Sequence, residues 1–247
     1  MRIPRLHILQ PLPLEQTIVL EAAASHYVGK VLRMQEKQEV VLFNDLGEQV
    51  SAHITSVSKK VVSVFLSAPL AGPPTSPLHT HLGQVMCRGE RMDYVIQKAT
   101  ELGAYEIQPI FSERSIIKIS QDRIIKKLAH WKQVSISACE QCYRTEIPQI
   151  HQPQKFMDYL NNTSFEDKAL RLILAPSARS NANIFPTKEP NKVYVLIGPE
   201  GGFDKKEIQL ANSLNFEAIN LGPRILRTET APLSILSILQ YKYGDFA

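Results

Sequence analysis

Cysteine is scarce in this 247-residue chain, with only Cys87, Cys139 and Cys142. An odd count in a long chain gives no disulfide framework and points to a reducing compartment. A second CxxC to accompany Cys139–Cys142 is missing, and His79-x-His81 near Cys87 does not complete a ligand set, so no metal site is expected. No apolar run of signal-peptide length follows the opening MRIPRLHILQ. The uncharged stretch 61–87 contains Pro69, Pro73, Pro74 and Pro77, which would break a membrane-spanning helix. These features together give the expectation of a cytoplasmic protein. Neither GxxxxGK[ST] nor GxGxxG occurs, which removes motif support for ordinary nucleotide-binding folds, and no internal repeat is evident. Charge is nearly balanced, 28 Lys and Arg against 24 Asp and Glu, so the net +4 permits an anionic partner without demanding one.

With 44% hydrophobic and 21% charged residues the chain has ample apolar surface for a core, and its length suggests two domains. The stretch 68–80 holds four of the sixteen prolines and no charge, and is the expected linker. Before it, QTIVLE, EVVLF, SAHITSV and VVSVFL read as strands, with Asn44-Asp45-Leu46-Gly47 as a turn. One helix interrupts them: in AAASHYVGKVLRM, Ala24, Tyr27, Val28, Val31 and Leu32 share a face and leave Lys30 and Arg33 toward solvent. After the linker, short apolar runs alternate with amphipathic helices, the pattern of an α/β fold. LGQVMC and YEIQPI read as strands around a helix with Met92, Val95, Ile96, Ala99 and Leu102 inward and Gly103 as its stop. In 122–144, Ile124, Leu128, Trp131, Ala138 and Cys142 form one stripe of a helix. ALRLILA and VYVLIG are nearly continuous apolar runs, as in parallel strands covered on both faces, and TAPLSILSILQYKY is an apolar final helix.

Two loops stand out. Gly198-Pro199-Glu200-Gly201-Gly202 leaves an apolar strand and precedes Asp204 and a helical run, so main-chain N–H groups there are free to approach a ligand. A plain glycine turn fits the same stretch equally well. The second loop, 221–232, gathers Arg224, Arg227, Thr228, Glu229 and Thr230 and leads through Pro232 into the last helix, with Thr230 also suited to a capping role. If both loops leave one sheet at its carboxyl ends, they lie where open α/β sheets bind ligands.

IGPEGGF and LGPRILRTETAPL, with GERMDYVIQKATELGAYEIQPIFSERS and HYVGKVLRM, resemble the ribosomal RNA small subunit methyltransferase E family over essentially the whole chain and in the family's order. The resemblance implies a SPOUT-type α/β domain with a deep C-terminal trefoil knot over 81–247, a small PUA-like β-barrel domain for RNA over 1–70, and a proline-rich linker over 71–80. It implies methylation of N3 of a uridine in 16S ribosomal RNA with S-adenosyl-L-methionine, and a homodimer acting on the small ribosomal subunit. Gly198, Glu200, Gly201 and Gly202 match the first loop of the family, and Leu221, Gly222, Ile225, Leu226 and Ala231 the second. Leu174 and Leu196 end two apolar strands as expected adenine-side contacts, and Arg227 and Thr230 complete the expected cofactor set. Arg227, Thr228, Glu229 and Thr230 are the catalytic expectations, with Glu229 accepting the N3 proton, Arg227 stabilising charge on the uracil oxygens, and Glu200 as the rival base. A simple Arg227–Glu229 pair holding the loop is the alternative.

RNA contacts are expected from Arg2, Arg5, Lys30 and Arg33 in the first domain and from Arg88, Arg91, Arg114 and Arg144 in the second. Residues 114–132, with six basic residues against Asp122, read equally well as an RNA-facing strip or a solvated helix face. Cys142 stands where the family usually has serine before the arginine, and Leu6-His7 replaces an aromatic pair. A passive RNA-binding module, and a SPOUT enzyme acting on transfer RNA or a ribose 2′-hydroxyl, are the competing readings.

Overall fold

The computed structural model describes residues 3–115, 119–175, 178, 186 and 189–246. The chain divides into two compact units, 1–75 with 136–147, and 76–135 with 148–247. The break falls inside the proline-rich stretch, while the excursion of 136–147 into the first unit has no marker in the linear sequence.

In the first unit β1 (Arg5–His7), β2 (Thr17–Val19), β3 (Glu39–Phe43), β4 (Gln49–Val57) and β5 (Val62–Pro69) form a mixed sheet in the order β1-β3-β4-β5-β2. Among the described residues the sheet is a linear path ending on β1 and β2, so the expected barrel is observed as a small mixed sheet. Alternation places Val40, Leu42, Val50, Ala52, Ile54, Val62, Val64 and Leu66 in one core. Asn44 Oδ1 accepts the Leu46 and Glu48 amides and shapes the β3–β4 turn.

The helix expected at 22–34 is shorter and rotated. α1 (Ala22–His26) passes into a single π turn, Tyr27–Val31, whose extra residue shifts the side-chain register. Ser25 and Val28 are buried, whereas Tyr27 and Val31, expected inward, are exposed.

The second unit is α/β. β6 (His79–Val85), β7 (Ala104–Phe111), β8 (Gln149–Ile150), β10 (Leu170–Leu174), β11 (Lys192–Ile197) and β12 (Glu217–Ile219) make a parallel sheet ordered β12-β10-β11-β6-β7-β8, with β9 (Gln154–Lys155) also on β7. Its helices are α2 (Arg91–Glu101), the unbroken α3 (Gln121–Cys142), α4 (Phe156–Asn162), α5 (Lys205–Ser213) and α6 (Thr230–Tyr243). The strands are apolar on both faces because both are covered. Val193, Val195 and Ile197 of β11 pack in a core with Met92, Val95 and Ile96 of α2, Trp131 of α3, and Ile235, Leu236 and Leu239 of α6. Tyr194 and Leu196, pointing the other way, pack with Phe156, Tyr159 and Leu160 of α4 and with Ala211 of α5. Trp131 is fully buried and its indole N–H donates to Asp93 Oδ1 at 2.9 Å, so its one polar group is satisfied. Among the described residues no helix is long and apolar enough to cross a membrane.

Candidate active site

The site forms at the carboxyl ends of β10, β11 and β12. In register, Leu174 stands opposite both Ile197 and Ile219, so the loops after β11 and β12 flank the end of β10. The β11 loop turns sharply. The Gly202 amide donates to Pro199 O at 2.8 Å, and Gly202 has φ +67°, a left-handed conformation that glycine adopts without a Cβ penalty. Asp204 then caps α5: its carboxylate accepts the Lys206 amide while Glu207 reaches back to the Asp204 amide, a capping box. The backbone bond from Lys206 holds the Asp204 carboxyl below its ordinary range. In the β12 loop Asn220 Oδ1 accepts the amide of Gly222, whose φ is +103°.

A buried hydroxyl fastens these loops together. Thr228 Oγ1 donates to Gly198 O at 2.7 Å and accepts from Gln84 Nε2 at 3.3 Å. Cys87 lies against the same hydroxyl at 3.9 Å, and burial pushes its thiol up to about 11. Outside, Arg114 Nη1 donates to Gly201 O at 2.7 Å and its other arm lies 3.7 Å from Asp204, which braces the glycine loop.

Between the loops opens a cleft of roughly 710 Å3, a figure that includes its open mouth. Its apolar wall comes from Leu174, Ala175, Ile197, Ile219, Leu226 and Ala231. Gly198, Pro199, Glu200 and Gly202 form one side and residues 220–225 and Thr228 the other. Apolar strand ends facing glycine-rich main chain suit a flat heteroaromatic ring joined to a polar, hydrogen-bonding portion.

Arg91, the first residue of α2, links the two acidic residues of these loops. Its Nη1 is 2.6 Å from Glu200 Oε1 and its Nε 3.9 Å from Glu229 Oε1. The Glu200 side chain is 58% exposed, whereas that of Glu229 is 15% exposed and its Oε2 is buried without a hydrogen-bond partner among the described residues. A buried, unpartnered carboxylate oxygen is costly, which makes Glu229 a ready acceptor for an arriving donor.

Of the residues expected from sequence, Leu174, Gly198, Glu200, Gly202, Leu221, Gly222, Ile225, Leu226 and Ala231 line the cleft. Leu196, Gly201, Arg227 and Thr230 are not among its lining residues. Leu196 sits in the opposite core, because a one-residue offset in a strand reverses the face, and Ile197 lines the cleft instead. Gly201 is exposed beside Arg114. Arg227 and Thr230 are exposed. Among the described residues Arg227 makes no side-chain hydrogen bond or ion pair, so Glu229 faces Arg91 rather than Arg227. Thr230 opens α6, and Glu229 holds the N-cap position without a side-chain cap bond. Sequence reasoning missed Ala175, Ile219, Asn220, Gln84 and Cys87. Ile219 and Asn220 carried a signal, as the end of an apolar run and its first polar successor.

The expected RNA-contacting cations are dispersed. Lys30, Arg33 and Arg88 are exposed, and Arg2 lies outside the described residues. Arg91 and Arg114 hold the glycine loop, as described. Arg144 is partly buried, and its carbonyl accepts from Arg5. Arg5 itself is 5% exposed, a correction to its reading as an RNA contact. Its guanidinium donates to Gln49 Oε1, Cys139 O and Arg144 O and lies over the Phe43 ring. Among the described residues no cluster of three or more His, Cys, Asp or Glu is arranged to hold a metal ion.

Comparison with known proteins agrees along the chain. The RNA methyltransferase domain family matches residues 74–240, and the RNA methyltransferase PUA domain family matches residues 20–66. Ribosomal RNA small subunit methyltransferase E of Buchnera aphidicola (subsp. Schizaphis graminum) is 38% identical over 246 residues, covering 100% of this chain and 99% of that protein. The Bacillus subtilis protein of the same name is 29% identical, covering 88% and 87%. A Legionella pneumophila protein solved with the bound cofactor SAM has a TM-score of 0.93 at 38% identity, with full coverage of both chains. The Neisseria gonorrhoeae ribosomal RNA small subunit methyltransferase E, bound to S-adenosyl methionine, has a TM-score of 0.91 at 32% identity, again with full coverage.

Proposed function

This chain belongs to the ribosomal RNA small subunit methyltransferase E family, and we propose that it methylates N3 of a uridine in 16S ribosomal RNA, with S-adenosyl-L-methionine as methyl donor. The observation that carries this reading is the cleft between the two loops with the unpartnered Glu229 Oε2 nearby. Leu174, Ile197, Ile219, Leu226 and Ala231 would hold the adenine, and the main chain of Gly198, Gly202 and 221–225 the polar remainder. When bound, the cofactor supplies a methyl group on a sulfonium sulfur, which is already activated for transfer.

The chain's own task is to place and deprotonate the nucleophile. Uridine N3 carries a proton at neutral pH and its lone pair becomes nucleophilic as that proton leaves. Glu229 takes the proton, its Oε2 having no competing partner. Thr228 fixes the distance between the loops, so that the cofactor side and the substrate side keep one geometry. The first unit, matched to a PUA domain, grips RNA through exposed cations such as Lys30 and Arg33. A trefoil knot in the C-terminal part, a homodimer and a cytoplasmic setting on the small subunit complete the reading.

The test is methyl transfer from labelled S-adenosylmethionine to small ribosomal subunits lacking the modification, with the product nucleoside identified. N3-methyluridine is expected. A ribose-methylated nucleoside would move the target to a 2′-hydroxyl, cofactor binding without transfer would point to a different RNA such as transfer RNA, and absence of cofactor binding would leave a passive RNA-binding protein.

A further inference from the structure

We propose that Arg91 reads the uracil edge together with Glu229: the carboxylate accepts N3–H while the guanidinium donates to an adjacent uracil oxygen and stabilises the N3 anion. The inference rests on the uridine-N3 reading above and chooses a base contact over a phosphate contact for Arg91.

Three observations carry it. First, Arg91 sits between two carboxylates, at 2.6 Å from Glu200 and 3.9 Å from Glu229. One cation flanked by two anions has a net negative surrounding, which repels a phosphate. A neutral base with an acidic N–H suits it better. Second, a guanidinium has five donors in one plane, and the short bond to Glu200 uses one of them. The side chain is 46% exposed, and among the described residues its Nη2 has no hydrogen-bond partner. Third, Glu229 Oε1 lies 3.9 Å from Arg91 Nε, and the Oε2 of the same carboxylate is buried without a partner among the described residues. Together the pair presents an acceptor next to donors. Uracil shows acceptor, donor, acceptor along O4, N3–H and O2, which complements the pair. Cytosine turns an N3 lone pair toward the carboxylate, so the arrangement discriminates against it by repulsion.

The step balances. The N3 proton passes to Glu229, the N3 electron pair forms the new N–CH3 bond, and the methyl–sulfur pair returns to sulfur, leaving a neutral thioether. As Glu229 is neutralised, the negative charge it loses develops on the uracil oxygens. The total beside Arg91 is therefore unchanged, and the guanidinium follows the charge from carboxylate to base.

The experiment compares single-turnover rates on small subunits assembled from RNA transcribed with uridine or with 5-fluorouridine, for the native chain, Arg91→Ala and Arg91→Lys. Fluorine makes N3–H more acidic and lessens the need for a cation at the anion. Arg91→Ala should lose about 10²–10³-fold in the methyl-transfer rate at saturating RNA, the loss typical of a removed oxyanion donor. With 5-fluorouridine roughly tenfold of that loss should return, following the acidity of the proton transferred. Arg91→Lys keeps a cation to brace Glu200 and should fall between, with cofactor affinity nearer to native than in Arg91→Ala; it carries the comparison if the alanine variant binds cofactor poorly. Equal losses on both RNAs, or a loss that vanishes at saturating RNA, would overturn the role and return Arg91 to a phosphate contact. Failure of the uridine-N3 reading shows separately, as a different product from the native chain.

Discussion

Thr228→Val removes one hydroxyl at nearly constant shape from the joint between the two loops. The Gly198 carbonyl then loses the donor it has at 2.7 Å, while Gln84 Nε2 keeps Val85 O at 3.0 Å. Leaving this partly buried acceptor unsatisfied costs up to about 1–3 kcal/mol, the range for a fully buried group. Taking ~2 kcal/mol, the opening equilibrium of the glycine loop should rise about 30-fold, since each 1.4 kcal/mol is a factor of ten. Thr228→Ser keeps the hydroxyl and deletes one methyl, about 0.8 kcal/mol or roughly fourfold. Amide hydrogen exchange at Gly201, Gly202 and Phe203 reads the opening directly, and titration with S-adenosylmethionine reads its effect on the cleft. The expected order of protection and affinity is native, Ser, Val. Native-like exchange in the valine variant, or a serine variant as impaired as the valine one, would refute the argument, because packing rather than the hydroxyl would then hold the loops.

Other outcomes follow from the buried polar groups. Arg5→Ala leaves Cys139 O, Arg144 O and Gln49 without their donor, so it should destabilise the first unit by about 2–4 kcal/mol in denaturant unfolding; an RNA-affinity defect at native stability would contradict its structural role. The hydrogen bonds from His151 and His81 hold the Glu106 carboxyl well below its usual value of 4.5, so its stabilisation is present above about pH 4.5 and is lost as pH falls below it. Glu106→Gln should therefore melt lower than the native chain at pH 7, with the gap closing on acidification; a gap independent of pH would oppose this. Burial pushes Cys87 and Cys139 up to about 11 and about 12, so iodoacetamide at pH 8 should label the partly exposed Cys142 first, and rapid native labelling of Cys87 would argue against the closed site.

Much of the second unit was legible because its signals are local. The apolar run from Thr230 and Pro232 marks α6 at its observed start, and the stripe of Met92, Val95, Ile96 and Ala99 is the buried face of α2. What failed depended on register or distance. One extra residue in the π turn turned Tyr27 and Val31 outward, which a 3.6-residue period does not anticipate. Leu196 and Ile197 differ by one position, and only the sheet decides which faces the cleft. Arg5 looked like a free cation because its partners, Cys139 and Arg144, lie more than 130 residues away. Arg91 was recognisable as chemistry-bearing, but its place between Glu200 and Glu229 required the start of α2 and two loops to meet.

The discontinuity of the first unit sets an order of events during synthesis. Arg5 and the amide of His7 find their acceptors in Cys139, Arg144 and Glu140, so the amino-terminal strands cannot complete their packing when residue 75 leaves the ribosome. They wait until the segment 136–147 has emerged, by which time β6, α2 and β7 of the second unit are already made. A fragment cut at the proline-rich stretch would lack these acceptors, and a chimera that transplants the first unit must carry the distal end of α3 with it.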